Sequence, residues 1–237
     1  MKRLFILIIL GLILANIPCF ASSKYYLNVY HELDNKVKVD QALVSNVGFK
    51  LLNANKIDKR MAFVYSRKST VNAFSNSLDR RIIICKGIVD YMDSEDELAG
   101  IMAHEISHSI DSYNGILRGS LNFIPQAFVP RKYERKADLR AVDFMVNAGY
   151  NPLALIIIMN KVSGQYRYEV LSTHPLTSRR LAYIYEYIYR KYPAFLANNA
   201  YIDNIYYQNF LLNSEHNRKK LEQAVNSGSK KRIRYDY

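Results

Sequence analysis

With 237 residues, 49% of them hydrophobic, the chain is long and apolar enough for one domain with a sizeable core, and a disordered or fibrous class is excluded. Its formal charge is +12, a balance that favours anionic lipid, cell-wall polymer or nucleic acid without choosing among them.

The N-terminus narrows that choice. Met1-Lys2-Arg3 precedes an uncharged apolar run from Leu4 to Ala15 and a small-residue site ending in Cys19-Phe20-Ala21, the pattern of a secretory signal peptide over residues 1–21. The run holds 12 residues, against about 20 for a comfortable bilayer span. An uncleaved anchor would need Asn16 to Phe20 as an extension, and lipidation at Cys19 meets Pro18 where a small residue is normally wanted. The expected location is therefore extracytoplasmic, periplasmic or secreted, with membrane association if the segment is retained, and no nucleic-acid partner is expected. Loss of residues 1–21 leaves Cys85 as a lone cysteine inside Ile82-Ile83-Ile84-Cys85, where it reads as a small buried hydrophobe.

Further along, Val39, Leu43, Val47 and Leu51 recur every four residues and predict an amphipathic helix over Val37 to Leu52. Met61 to Tyr65, Val71 to Phe74 and Arg81 to Cys85 are short, β-branched or aromatic runs separated by polar residues, and predict a small sheet packed on helices. Ser94-Glu95-Asp96-Glu97 is a capping-box sequence that opens a helix from Glu95 to about Ser112. A second helix is expected from Tyr133 to Ala148, stopping at Gly149, and Asn151-Pro152 opens a third.

Beyond Arg180 the tyrosines at 183, 185, 187 and 189 alternate as in a strand, yet Leu181, Ile184, Tyr185, Ile188, Tyr189 and Tyr192 also form a helical stripe, and length favours helix. Ten of the 20 tyrosines lie between Tyr166 and Tyr207. They fit either a carbohydrate or membrane-interface surface or half-buried packing with wet hydroxyls, and packing is the simpler reading. After Ser214 the basic clusters Arg218-Lys219-Lys220 and Lys230-Lys231-Arg232 sit among polar residues, so 214–237 reads as a solvated basic tail that could touch an anionic membrane surface.

Chemistry concentrates in His104-Glu105-Ile106-Ser107-His108, an HExxH pattern inside the predicted Glu95 helix. Residues at i and i+4 share one helical face, so both imidazoles can reach one ion while Glu105 lies beside it as a candidate general base. Zinc suits two neutral imidazoles and a carboxylate with a fourth position for water. Glu134, 26 residues past His108, is a candidate third ligand, followed one turn later by Asp138 as an outer acceptor that would orient an imidazole. Glu134 also sits among Arg131, Lys132, Arg135 and Lys136, as a surface charge would, and spacing alone does not choose.

Four blocks together resemble the zinc endopeptidases (gluzincins) that include the HtpX heat-shock proteases and the CAAX prenyl proteases, especially their soluble, secreted bacterial relatives. They are Val71-Asn72-Ala73-Phe74, Asp93 through His108, Glu134-Arg135-Lys136-Ala137-Asp138 continuing to Pro152, and Ser172-Thr173-His174-Pro175 through Leu181. The resemblance implies an α+β, mostly helical zincin-like metallopeptidase domain over 22–213 with a small sheet beside the HExxH helix. It further implies one zinc ion per chain on His104, His108 and Glu134, and hydrolysis of misfolded or envelope-associated protein substrates. Relatives carry Pro-Gly-Gly where this chain has Asn76-Ser77-Leu78-Asp79, so a different turn into the next strand is expected.

His174, in a Thr-His-Pro turn, could donate to the developing oxyanion, occupy the metal's open position as a latch, or bond to backbone. His174→Ala lowers activity in the first case and raises it in the second. Arg180 could bridge Asp138 or another carboxylate of the site, or sit at the surface. The alternative from another class is a zinc-containing, chaperone-like binding protein of the envelope, although a binder has no use for Glu105 as a base.

Overall fold

The computed structural model describes residues 36–76, 79–117, 131–162, 177–229 and 233–235. Val37–Tyr237 forms one compact unit. Helix α1 (Gln41–Ala54) is capped by Asp40, whose carboxylate accepts from Leu43 N–H at 2.9 Å. It buries Val44, Val47, Leu51 and Leu52. Three strands follow, β1 (Ala62–Ser66), β2 (Ala73–Asn76) and β3 (Arg81–Cys85), in the order β1-β3-β2, with β1 parallel and β2 antiparallel to the central β3. Ile82 and Ile84 of β3 point to the same face of the sheet and are completely buried, while Ile83 on the other face is half-buried.

The outer edge of β1 is closed by a side chain. Gln41 donates its amide to Phe63 O and accepts from Tyr65 N–H, both at 2.8 Å, so it replaces a neighbouring strand. After the short α2 (Lys86–Val89) come α3 (Glu95–Leu117), α4 (Arg131–Asn147) and α5 (Leu153–Val162). Helix α3 packs against α1, β2, β3, α4 and α5 and is the axis of the domain. Its buried Leu98, Ala99, Met102, Ala103 and Ile106 account for that position. Gly149, at φ 75°, ends α4, with Tyr150 N–H bonding back to Met145 O at 2.9 Å. Asn151 then caps α5 through Leu153 N–H at 3.0 Å.

The tyrosine-rich stretch is helical, α6 (Thr177–Lys191), and buries Leu181, Ile184, Tyr185 and Ile188. Short α7 (Ala194–Ala197), α8 (Ile205–Asn213) and α9 (Glu215–Asn226) complete the fold. The solvated tail expected after Ser214 is in part α9, which buries Asn217 and Leu221 one turn apart. Its many charges lie around a stripe too narrow to stand out in the composition.

The strands begin or end within two residues of the expected positions, and α3 runs five residues past Ser112. Ser77 and Leu78, where the chain departs from Pro-Gly-Gly, and all of residues 1–35 lie outside the described residues. Among the described residues no helix is long and apolar enough to cross a membrane.

Candidate metal centre

The start of α3 fixes where its histidines point. Ser94 Oγ accepts from Glu97 N–H at 3.2 Å, and the Glu97 carboxylate reaches back to Asp93 N–H at 3.1 Å, one residue earlier than in a standard capping box. Lys161 of α5 meets the same Glu97 carboxylate at 2.9 Å and also pairs with Asp93. Nearly two turns before its end, α3 is tied to α4, since Asp111 receives Lys136 at 2.9 Å and Arg140 at 3.2 Å, and Arg140 also donates to Ser107 O.

Between these ties His104 and His108 project toward α4, with their Nε2 atoms 3.0 Å apart. Glu134, in the first turn of α4, brings Oε1 to 3.2 Å from His108 Nε2 and Oε2 to 3.6 Å from His104 Nε2. One ligand atom from each residue lies within 4.8 Å of the others. Glu134 is only 2% exposed, so it is no surface charge, whereas neighbouring Lys136 is exposed.

Asp138 is fully buried one turn beyond Glu134, with Oδ1 2.9 Å from His104 Nδ1. An Nδ1–H donated to this carboxylate leaves Nε2 as a lone pair turned toward His108 and Glu134. Arg180 of α6, 7% exposed, grips Asp138 with Nε to Oδ2 at 2.8 Å and Nη2 to Oδ1 at 2.7 Å, and holds Nη1 3.2 Å from Glu134. Tyr183, one turn on, donates its hydroxyl to Asp138 Oδ2 at 2.7 Å. Nothing in the sequence singles out Tyr183 from its tyrosine-rich neighbours. Glu105 is 5% exposed beside the histidines, and His174 lies outside the described residues.

The charges are strongly coupled. Burial is the largest influence on His104 and lowers its pKa, with the Asp138 hydrogen bond opposing. Burial also acts to lower His108, but Glu134 and Glu105 outweigh it and the net shift is upward. For Asp138 burial acts to raise the carboxyl, yet Arg180 and His104 hold it far below the usual carboxylate range.

The donor set fits a metal ion. Four-coordinate zinc with bonds of about 2.0–2.1 Å keeps its ligand atoms roughly 3.3 Å apart; the two Nε2 atoms at 3.0 Å and His108 Nε2 with Glu134 Oε1 at 3.2 Å lie near that spacing, while the 3.6 Å approach to His104 Nε2 is made by the other oxygen, Oε2. Two imidazole nitrogens and a carboxylate, all electron-pair donors facing one point, suit a cation rather than one another.

A helical α+β domain in which an HExxH helix faces a carboxylate-bearing helix defines a metallopeptidase. The family comparison agrees, since residues 39–117 and 115–188 match peptidase family M48, and the chain belongs to that family. Among curated proteins it is similar to the Beta-barrel assembly-enhancing protease of Escherichia coli K12, 24% identical over 180 residues that cover 59% of this chain and 37% of that protein. The same protease of Shigella flexneri gives the same figures. The Putative beta-barrel assembly-enhancing protease of Vibrio cholerae is 24% identical over 181 residues, covering 58% of this chain and 37% of its own. The match thus spans 37% of the length of these relatives.

Proposed function

We propose that the chain is a zinc-dependent endopeptidase that cleaves misfolded or envelope-associated proteins, with His104, His108 and Glu134 as ligands and Glu105 as general base. The observation that carries this reading is the convergence of two ring nitrogens and a carboxylate oxygen within 4.8 Å, next to a buried glutamate. Zinc held there supplies Lewis acidity, which polarises a scissile carbonyl and makes water acidic near neutral pH. Glu105 accepts the proton of the attacking water and returns it to the leaving nitrogen. Asp138 keeps His104 in the Nδ1–H tautomer, and Arg180 keeps Asp138 ionised and in place.

The relatives are named for enhancing β-barrel assembly, which supports envelope proteins as the substrate class. The signal-like N-terminus supports an extracytoplasmic location, and the basic residues of α9 offer contact with an anionic membrane surface.

The test measures zinc per chain by elemental analysis in wild type and Glu134→Ala, together with casein cleavage with and without chelator. About one zinc per wild-type chain, sharply weaker binding in the variant and chelator-sensitive cleavage are expected. Stoichiometric zinc without cleavage would favour a binding protein, and absence of zinc would refute the site.

A further inference from the structure

Asp138 is the hub through which the outer residues act on the metal ligands, and its bonds are unusually complete. Oδ1 meets Arg180 Nη2 at 2.7 Å and His104 Nδ1 at 2.9 Å, while Oδ2 meets Arg180 Nε at 2.8 Å and the Tyr183 hydroxyl at 2.7 Å. Each oxygen of this carboxylate takes one hydrogen bond from Arg180, and the Tyr183 hydroxyl adds a second on Oδ2, while Oδ1 faces His104. We infer that Tyr183 is a positioning residue for the metal centre, locking the Asp138 carboxylate so that His104 keeps Nδ1–H on Asp138 and Nε2 on the metal. This rests on the zinc reading proposed above.

Three features support the assignment. Arg180 and Tyr183 are three residues apart and share one face of α6, so one helix delivers both the charged fork and the hydroxyl. The Tyr183 ring is itself held, with the Arg135 guanidinium carbon 5.5 Å from its centroid. Burial, reinforced by the Asp138 charge, pushes the Tyr183 phenol far above its ordinary value, so it remains a donor wherever the protein is folded. Loss of the hydroxyl leaves Oδ2 with a buried acceptor site unfilled and the carboxylate free to turn, and a ligating imidazole responds directly to its outer carboxylate.

A merely structural role would make Tyr183 one more tie between α6 and α4. The fold contains a control of that kind, because Tyr187 of α6 donates to Asp143 of α4 at 2.9 Å, away from the cluster. The experiment compares Tyr183→Phe with Tyr187→Phe in three readouts: zinc affinity by competition with a chromophoric chelator, the visible spectrum of the cobalt-substituted chain, and thermal unfolding of the metal-free chain. Tyr183→Phe should weaken zinc binding about 3- to 10-fold, less than the 10- to 100-fold typical of a direct outer partner, and shift the cobalt bands. Tyr187→Phe should leave both at wild-type values. Wild-type affinity and spectrum in Tyr183→Phe, or equal changes in the two variants, overturn the assignment while the zinc reading stands. A wild-type chain that takes up neither metal overturns the zinc reading and this assignment with it.

Discussion

Arg180→Met removes the guanidinium while keeping much of its apolar stem. The fork makes two charge-assisted bonds to Asp138 and stands 3.2 Å from Glu134, and both carboxylates are buried. Breaking a buried pair from one side costs about 3–5 kcal/mol. At about 2–4 °C per kcal/mol for a domain of this size, the melting temperature of the metal-free chain should fall by roughly 6–20 °C.

The pH dependence of the loss is as informative as its size. In wild type, burial acts to raise the Asp138 carboxyl but Arg180 and His104 depress it, so its contribution is present above the unfolded value of about 3.9 and lost as pH falls through the folded one. Without Arg180, burial dominates and the folded carboxyl rises above the unfolded value. Its ionisation then drains stability as pH climbs, so the gap between wild type and variant should be wider at about pH 8 than at about pH 5. Urea unfolding in chelator at both values measures it. A gap that is flat with pH, or a loss below about 1 kcal/mol, would show that Arg180 behaves as an ordinary surface arginine.

Glu105→Gln should keep about one zinc per chain while turnover drops about 10²- to 10⁴-fold; elemental analysis beside a casein assay checks both, and zinc loss or normal turnover removes Glu105 as the base. Lys161→Met should cost about 3–5 kcal/mol, because it leaves the Glu97 carboxylate buried beside Asp93. Burial already raises Glu97 against the pull of Lys161, so the deficit should grow as pH rises above about 4.3, and adding Glu97→Gln should recover part of it in urea titrations. Equal loss in the single and double variants would refute the pairing.

What could be read from sequence divides along local and non-local lines. The Ser94 cap, the stop at Gly149 and the Asn151 cap are signals within a few residues of the ends they set, and each has its hydrogen bond in the structure. His104 and His108 share a face because the helix period requires it. The partners of Asp138 lie 42 and 45 residues away on α6. Four tyrosines alternate there, and only the packing angle of α6 on α4 decides which one reaches Asp138. Gln41 closing the edge of β1 is equally invisible, since an exposed glutamine at a helix start looks like any other. Helix α9 escaped for the opposite reason, its single buried leucine being outnumbered by charges.

The balance of buried charge explains why this cluster calls for an ion. Glu105, Glu134 and Asp138 are all buried, and among the described residues the centre sets one buried cation against them, Arg180, with His104 held toward its neutral form by burial. With both imidazoles neutral, as metal binding requires, the formal charge of these groups is two negative units, and each uncompensated ion in such a place costs several kcal/mol; before a metal binds, Glu134 and Glu105 favour a proton on His108, which offsets one of them. A second arginine at the Tyr183 position would ease that deficit and with it the electrostatic reason to bind a metal. A tyrosine there instead gives Asp138 Oδ2 a second hydrogen bond while adding no charge, so the carboxylate is fixed without being neutralised. The deficit then falls on the side where Glu134 and the two imidazoles converge, and a divalent cation is the species whose charge matches it.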